Sequence, residues 1–120
     1  MIPEIGMAIF GLINIDGTTY KDDVLIRLNG QVETREKELS KDIFGTSHII
    51  SLVEAEHVFE DGAEQLLIGS GYFGRCKLSP EAAAFYFEKG CEVILLHTSK
   101  AVRRWNQYEG AMIGLFHITC

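Results

Sequence analysis

The sequence is poor in the residues that mark several classes of protein. It has two prolines and three cysteines among 120 residues, and so sparse and odd a cysteine set predicts reduced thiols in a cytoplasmic protein rather than a disulfide framework. No basic segment followed by an apolar run opens the chain, which argues against a signal peptide, and no apolar stretch reaches the ~18–20 residues that cross a bilayer. We therefore expect one cytoplasmic domain over residues 1–120, without linker or tail and with no membrane association.

Positive charge is also scarce. The chain has 11 basic and 17 acidic residues, a net charge of −6. Residues 1–65 hold 5 of the basic and 13 of the acidic residues, whereas residues 66–120 hold 6 and 4. Nucleic-acid affinity comes mainly from neutralising phosphates, so this balance predicts no nucleic-acid partner. The mildly basic second half is still compatible with binding of one small anion.

The first third has the pattern of strands and turns. Residues 7–15 are apolar and β-prone, and Asp16-Gly17 and Asn29-Gly30 are hairpin turn signals. Alternating apolar residues over 24–29 predict a half-buried strand, with residues 31–35 pairing back. The mixed charges of residues 33–41 are typical of a solvated strand end or loop.

The rest of the chain alternates helices with apolar runs. Helix starts are indicated at Ser51, at Ser79-Pro80 and at Thr98 or Ser99, and the helices should end near Glu60, Lys89 and Tyr108. Runs at 66–68, 91–96 and 111–119 predict strands. The order predicts an α/β domain with a mixed sheet, N-terminal β-hairpins and about three helices.

Four segments together resemble one family of small domains. They are the run 37–41 followed by Gly45-Thr46-Ser47-His48; Leu67-Ile68-Gly69-Ser70-Gly71 with Tyr72-Phe73-Gly74; Thr98-x-x-Ala101 with Asn106; and His117-Ile118-Thr119-Cys120. This family of unknown function includes the adipogenesis-associated protein, the mitochondrial complex I assembly factor 3 and archaeal hypothetical proteins. The resemblance implies a three-layer fold and no reaction, cofactor or catalytic residue. Two positions depart from the family pattern, His97 in place of proline and Gly110-Ala111-Met112 in place of a basic residue.

The glycine loop after the first buried strand is a candidate ligand site. Residues 69–74 match G-x-G-x-x-G, but the next helix signal comes too late and no acid ends the next strand, so a dinucleotide site is not expected. A loop at a strand end can still contact a ligand through Gly69, Ser70 and Gly71. Polar contacts would come from His48, Arg75 and Asn106. A tight crossover turn without a ligand is the alternative.

Cysteine and histidine suggest two further chemistries. Cys76 lies between Arg75 and Lys77, where cations favour thiolate, although the pattern favours a small apolar side chain beside two solvated bases. His117 and Cys120 are three apart, and strand side chains three apart point to opposite faces, so no metal site is predicted unless the strand ends early. No catalytic constellation is recognised.

Aromatic residues indicate a contact surface. Residues 82–87 form a helix that is apolar on nearly every side, which is typical either of a core or of an interface. Tyr72 and Phe73 precede it, and with Phe87 they are the candidate partner-binding residues. We therefore hypothesise a non-catalytic binding or assembly module with a protein partner or a homo-oligomeric contact. The alternative is a small-anion-binding protein or an enzyme using the crevice at Gly69-Ser70-Gly71.

Overall fold

The computed structural model describes residues 2–120 of the chain. Over these residues the backbone forms ten strands and four helices. The strands are β1 (Ile5–Ile9), β2 (Leu12–Ile15), β3 (Thr18–Tyr20), β4 (Val24–Ile26), β5 (Val32–Thr34), β6 (Ile49–Ile50), β7 (Gln65–Ser70), β8 (Lys77–Leu78), β9 (Glu92–Leu96) and β10 (Met112–His117). The helices are α1 (Glu38–Phe44), α2 (Leu52–Val58), α3 (Pro80–Glu88) and α4 (Thr98–Gln107). No helix in this part of the chain is long and apolar enough to cross a membrane.

The central sheet has five strands in the order β5-β4-β10-β7-β9. Strands β10, β7 and β9 run parallel, while β4 is antiparallel to both β10 and β5. Parallel neighbours need long crossovers, and helices α3 and α4 supply elements of them. The predicted mixed sheet is confirmed.

Apolar residues on the two faces of this sheet pack into two separate cores. Leu66 and Ile68 face α2 and α3, whereas Leu67 between them faces α4. Successive side chains of a strand point to opposite faces, and here both faces are covered. The result is the three-layer arrangement that the family resemblance implies.

The N-terminal strands depart from the predicted pattern. The apolar stretch 7–15 is divided between β1 and β2 by a tight turn in which Gly11 has a φ of 81°, a conformation that glycine adopts easily. Strands β1, β2 and β3 form a separate antiparallel sheet. Both predicted hairpins are confirmed: β2 and β3 pair across Asp16-Gly17, and the second hairpin joins the central sheet as β4 and β5.

Strand β4 is buried on both faces rather than half-buried. Val24, Leu25 and Ile26 are all excluded from solvent. The expected alternation was wrong because β4 lies inside the sheet between β10 and β5, with a core on either side.

The charged stretch 33–41 is only in part the solvated strand end or loop that was predicted, because residues 33–34 end β5 but residues 38–41 lie in α1. Within the stretch, Arg35 and Ser40 are almost completely buried. A charged side chain is buried when opposite charges and hydrogen-bond partners surround it. Such partners lie far away in the sequence, so the local charge pattern does not reveal them.

Two of the three predicted helix starts are confirmed in detail. The hydroxyl oxygens of Ser51 and Ser79 accept hydrogen bonds from the backbone N–H groups of Glu54 and Ala82. At the third start, residue His97 precedes the helix without a side-chain cap. The predicted cap Thr98 is instead the first residue of α4, and its hydroxyl bonds to Gly71 and His117.

Candidate site at the carboxyl end of the central sheet

Polar side chains converge where β7 and β10 end. His117 is the last residue of β10, and Asp23 comes just before the antiparallel strand β4, so both lie at the same edge of the sheet. His48 precedes β6, and Cys120 follows β10 by three residues. We call Asp23, His48, His117 and Cys120 the carboxyl-end cluster.

Asp23 and His117 form a buried pair at its centre. Asp23 Oδ2 lies 2.7 Å from His117 Nδ1, and Asp23 Oδ1 accepts from the backbone N–H of Ile118 at 2.9 Å. Burial opposes ionisation of Asp23, but the bonds and charges of His117, Ile118 and Arg35 outweigh it and hold the pKa of Asp23 below its ordinary value. An ionised carboxylate only accepts, so His117 Nδ1 carries the proton.

Behind this pair lies a buried ion network. Arg35 Nη1 donates to Asp23 Oδ2 at 2.9 Å, and Arg35 grips both carboxylate oxygens of Glu54 at 2.7 and 3.0 Å. Burial disfavours the charged guanidinium, but the hydrogen bond and charge of Glu54 more than compensate and raise the pKa of Arg35. The Ser40 hydroxyl completes the shell of Glu54. The network holds Asp23 in place with its orientation set from two sides.

The network also explains why the capping box of α2 is only half formed. Ser51 caps Glu54 as the spacing predicts, but the Glu54 side chain does not reach back to Ser51. The backbone N–H of Ser51 donates to Ser40 Oγ instead. The side chain of Glu54, which has the capping-box spacing from Ser51, therefore belongs to the ion network.

His48 and Cys120 form the outer, half-buried part of the carboxyl-end cluster. His48 Nε2 lies 4.0 Å from Cys120 Sγ, and the rings of His48 and His117 are 5.3 Å apart in an edge-to-face arrangement. Burial, followed by repulsion from His117 and Arg75, lowers the pKa of His48. Because β10 ends at His117, the strand alternation that argued against bringing His117 and Cys120 together does not extend to Cys120.

The glycine loop is occupied by the segment that follows β10. The backbone N–H groups of Tyr72, Phe73 and Arg75 donate to carbonyl oxygens of Thr119 and Cys120. Gly71 has a φ of 99°, and a Cβ there would lie 2.3 Å from the Cys120 carbonyl carbon. The glycine therefore permits a close approach by the protein's own chain, and the loop N–H groups are already bonded.

Thr98 joins this loop to the sheet. Its hydroxyl accepts from the Gly71 N–H at 2.9 Å and donates to the His117 carbonyl at 2.6 Å. Gly69 packs against Thr98 and Phe116, and the buried Ser70 hydroxyl donates to the Leu96 carbonyl. These contacts position the carboxyl-end cluster.

The remaining predicted ligand contacts separate into two places. Arg75 and His48 both adjoin Cys120: the backbone N–H of Arg75 donates to the Cys120 carbonyl at 3.2 Å, and His48 Nε2 lies 4.0 Å from Cys120 Sγ. The Arg75 side chain is exposed. Asn106 lies near the far end of α4, where its amide accepts from Ile5 N–H at 2.9 Å and donates to the Ile5 carbonyl at 2.7 Å. Asn106 anchors β1 and does not join the others.

Cys76 is the small apolar side chain beside two solvated bases that the pattern favours, and the thiolate alternative was wrong. Cys76 is buried, whereas its neighbours Arg75 and Lys77 are exposed. Burial raises the pKa of Cys76 to about 11, despite the opposing charge of Arg35. The flanking cations that suggested activation point away from the thiol.

The candidate partner residues lie on two surfaces. Phe73 is 69% exposed and Phe10 57%, and the Phe10 ring centroid is 6.2 Å from that of Tyr72 and 6.3 Å from that of Phe73. We call these three residues the aromatic patch. Phe87 is 87% exposed at a separate apolar groove of about 280 Å³ with Leu78 and Val93. Helix α3 is apolar on nearly every side, as predicted, but only one side is buried: Ala82 and Tyr86 are core, whereas Ala83, Ala84 and Phe87 are exposed.

Sequence reasoning missed Asp23 and Arg35. An Asp just before a buried strand and an Arg just after its hairpin partner have no distinctive spacing, and each resembles an ordinary surface charge. Phe10 was also missed, because the turn that presents it was read as part of a strand.

No family model matches the chain. Among solved structures, the chain is 32% identical to a conserved hypothetical protein from Pyrococcus horikoshii OT3, covering 98% of this chain and 99% of that one with a TM-score of 0.92. It is 28% identical to the protein MT938, with 98% and 99% covered and a TM-score of 0.81. A Mth938-like domain of Bordetella pertussis shares the fold at 15% identity, with 97% and 85% covered and a TM-score of 0.70.

Proposed function

We propose that this chain, which belongs to the same family as the conserved hypothetical protein of Pyrococcus horikoshii OT3, is a non-catalytic protein-binding or assembly module. The observation that supports this proposal is the aromatic patch of Phe10, Tyr72 and Phe73. Clustered exposed aromatic rings are costly to leave in water and are enriched where protein partners dock. The proposal places the module in the cytoplasm.

The position of the patch adds to its support. Phe10 lies in the turn between β1 and β2, and the backbone N–H of the adjacent Gly11 donates to the Ile118 carbonyl at 2.7 Å. The backbone N–H groups of Tyr72 and Phe73 donate to carbonyl oxygens of the same segment, which follows β10. The three rings are therefore attached to backbone that is already held by hydrogen bonds. Binding a partner would cost little backbone conformational entropy.

The proposal of an assembly role rests on the family resemblance. The segments 37–41, 67–74, 98–106 and 117–120 resemble the adipogenesis-associated protein and the mitochondrial complex I assembly factor 3 as well as archaeal domains. We propose that both proteins belong to the family of this chain. We also propose that this chain, like an assembly factor, binds a protein, which is either a different partner or a second copy of itself.

The test is to capture complexes from extracts of the source organism and measure their mass intact. The expected result is a stoichiometric complex that the double variant Phe10→Ser, Phe73→Ser weakens at least ~10-fold, since buried aromatic anchors dominate interface energies. Ile43→Ser removes a similarly exposed apolar side chain from α1 and is the matched control. Phe87→Ser reports separately on the groove beside α3.

Complex formation that survives the double variant, with the variant still folded, would contradict the proposal for the aromatic patch. Loss on Phe87→Ser alone would move the contact to the groove. A chain that stays monomeric and captures nothing would count against a binding module altogether.

A small-anion site is the second candidate, and one observation favours it. His48 and Arg75 were expected to contact one ligand, and both adjoin the half-buried Cys120. An anion would bind to the exposed guanidinium of Arg75 rather than to the occupied N–H groups of the glycine loop. Inorganic phosphate should then shift the His48 imidazole resonances at constant pH, and Arg75→Met should abolish the shift. Unchanged spectra at millimolar phosphate would exclude this site.

A further inference from the structure

Three metal-ligating side chains meet in the carboxyl-end cluster. One ligand atom from each of His48, His117 and Cys120 lies within 4.8 Å of the other two. Ligands of a tetrahedral zinc ion, bound at ~2.0–2.3 Å, are separated from one another by ~3.3–3.8 Å. The distance of 4.0 Å between His48 Nε2 and Cys120 Sγ is close to that spacing. Both side chains are half-buried, so small rotations can shorten the distance to that of bound ligands.

His117 is oriented as a metal-binding histidine would be. Its Nδ1 donates to Asp23, so in the neutral form of the ring, the form that binds a metal, Nε2 is the nitrogen with a lone pair. Histidine ligands almost always donate their second ring N–H to a carboxylate, a carbonyl or water, which fixes the ring and raises its basicity. The Thr119 hydroxyl, 3.3 Å from Nε2, occupies that lone pair and would give way to a metal.

The buried ions behind the carboxyl-end cluster have a net negative charge, which attracts a cation. Asp23 and Glu54 bring two carboxylates against the single guanidinium of Arg35, all three being buried. Deprotonation of Cys120 on binding would add a further negative charge. Arg75 is the nearby opposing charge, and it is exposed, where solvent weakens its effect.

The fold also accounts for how such distant residues meet. Gly71 lets the segment after β10 lie directly on the loop, since a side chain there would overlap Cys120 and the His117 ring. Thr98 fixes the His117 carbonyl, and Arg35 donates to the Ser47 carbonyl next to His48. All three ligands are therefore attached to backbone that is held by specific bonds.

We infer that His48, His117 and Cys120 form a three-ligand site for Zn²⁺, with the carboxylate of Asp23 supporting His117. Imidazole and thiolate are the ligands that zinc prefers, and a site with three protein ligands leaves a fourth position for water or an incoming ligand. This inference is independent of the aromatic patch.

The test uses Co²⁺ as a spectroscopic substitute for Zn²⁺ with the full chain. We expect one equivalent of Co²⁺ to produce a thiolate-to-metal absorption band that Zn²⁺ removes by competition. Loss of a group that only orients a metal ligand costs ~10–100-fold in affinity, so loss of a ligand itself, in Cys120→Ser or His48→Gln, should weaken binding by at least ~100-fold. His57→Gln, which removes an exposed histidine from α2, is the matched control.

A measurement on the unaltered chain provides a second readout. Zn²⁺ should protect Cys120 from alkylation while leaving the labelling of the buried Cys76 and Cys91 unchanged. Absence of the Co²⁺ band in the unaltered chain, or binding by folded Cys120→Ser and His48→Gln as tight as by His57→Gln, would overturn the inference. Neither result bears on partner binding through the aromatic patch.

Discussion

The two layers that cover the central sheet are held by different forces. On the α4 side, Trp105 and Phe116 pack edge to face in an apolar core, at 6.0 Å between ring centroids. On the α2 side, an apolar core adjoins the buried ions of Asp23, Arg35 and Glu54. Apolar packing loses stability in proportion to the volume removed, whereas a buried ion network fails when any one partner is lost. The site therefore lies in the layer that tolerates change least.

The largest effect should come from Arg35→Met. Removing one partner of a buried ion pair destabilises by about 3–5 kcal/mol, because Asp23 and Glu54 would be left buried without their cation. Urea unfolding should show this as a lower midpoint with little change in slope. Arg103→Met, on the exposed face of α4, should be near neutral. A loss below about 1 kcal/mol would show that water reaches the network.

The double variant Arg35→Met, Glu54→Leu sharpens the same comparison. In the double variant, the Glu54 carboxylate that Arg35→Met would leave buried without a cation is also removed. Asp23 still keeps its bonds to His117 and Ile118. We expect the double variant to be less destabilised than the sum of the single variants, with a coupling energy of about 0.5–3 kcal/mol. Strict additivity would mean that the two residues act independently.

On the opposite layer, Trp105→Phe should cost about 1–3 kcal/mol. The change removes part of a fully buried ring and leaves the Pro3 carbonyl without the indole N–H that bonds it at 2.8 Å. Thermal and urea unfolding measure the loss. A cost greater than that of Arg35→Met would reverse the proposed contrast between the layers.

A smaller and more local effect is expected from Asn106→Ala. Two hydrogen bonds to Ile5 disappear, which should cost about 1–2 kcal/mol. Hydrogen exchange should accelerate in β1 more than in β7. Uniform acceleration along the chain would instead indicate that the three-stranded sheet and the central sheet open together.

The smallest effect concerns reactivity and leaves the fold unchanged. Because burial raises the pKa of Cys76 to about 11, iodoacetamide at neutral pH should label Cys76 far more slowly than the half-buried Cys120. Mass spectrometry of the digested protein measures the two rates. Equal rates would mean that the α2 side opens readily.

Two helices and the strands of the second half could be predicted from local patterns. Ser51 and Ser79 are caps whose hydrogen bonds act within four residues. The apolar run at 66–68 lies in the inner strand β7, which is buried, whereas the run at 91–96 contains the edge strand β9, which is only partly buried. Helix α1 was missed because its residues look like a solvated charge run. The hairpin turn at Gly11 was missed because it interrupts an otherwise apolar stretch.

The candidate site could be predicted only in fragments. His48, Arg75 and the glycine loop were identified individually, but their roles differ from those expected: the loop binds the protein's own terminal segment, and Asn106 anchors β1. Arg35 and Asp23 carry no local signal. Their partners lie 12 to 94 residues away in the sequence, at Asp23, Glu54 and His117.

By itself, the sequence determined the α/β class, the mixed sheet and the caps of α2 and α3, because those depend on periodicity and on bonds between near neighbours. Only the tertiary structure decided that His48, His117 and Cys120 meet, that Cys76 is buried away from its flanking cations, and that Phe10 joins Tyr72 and Phe73. The reason is physical: these contacts join segments that are distant in the chain, and they follow from sheet order and from where β10 ends rather than from any local pattern.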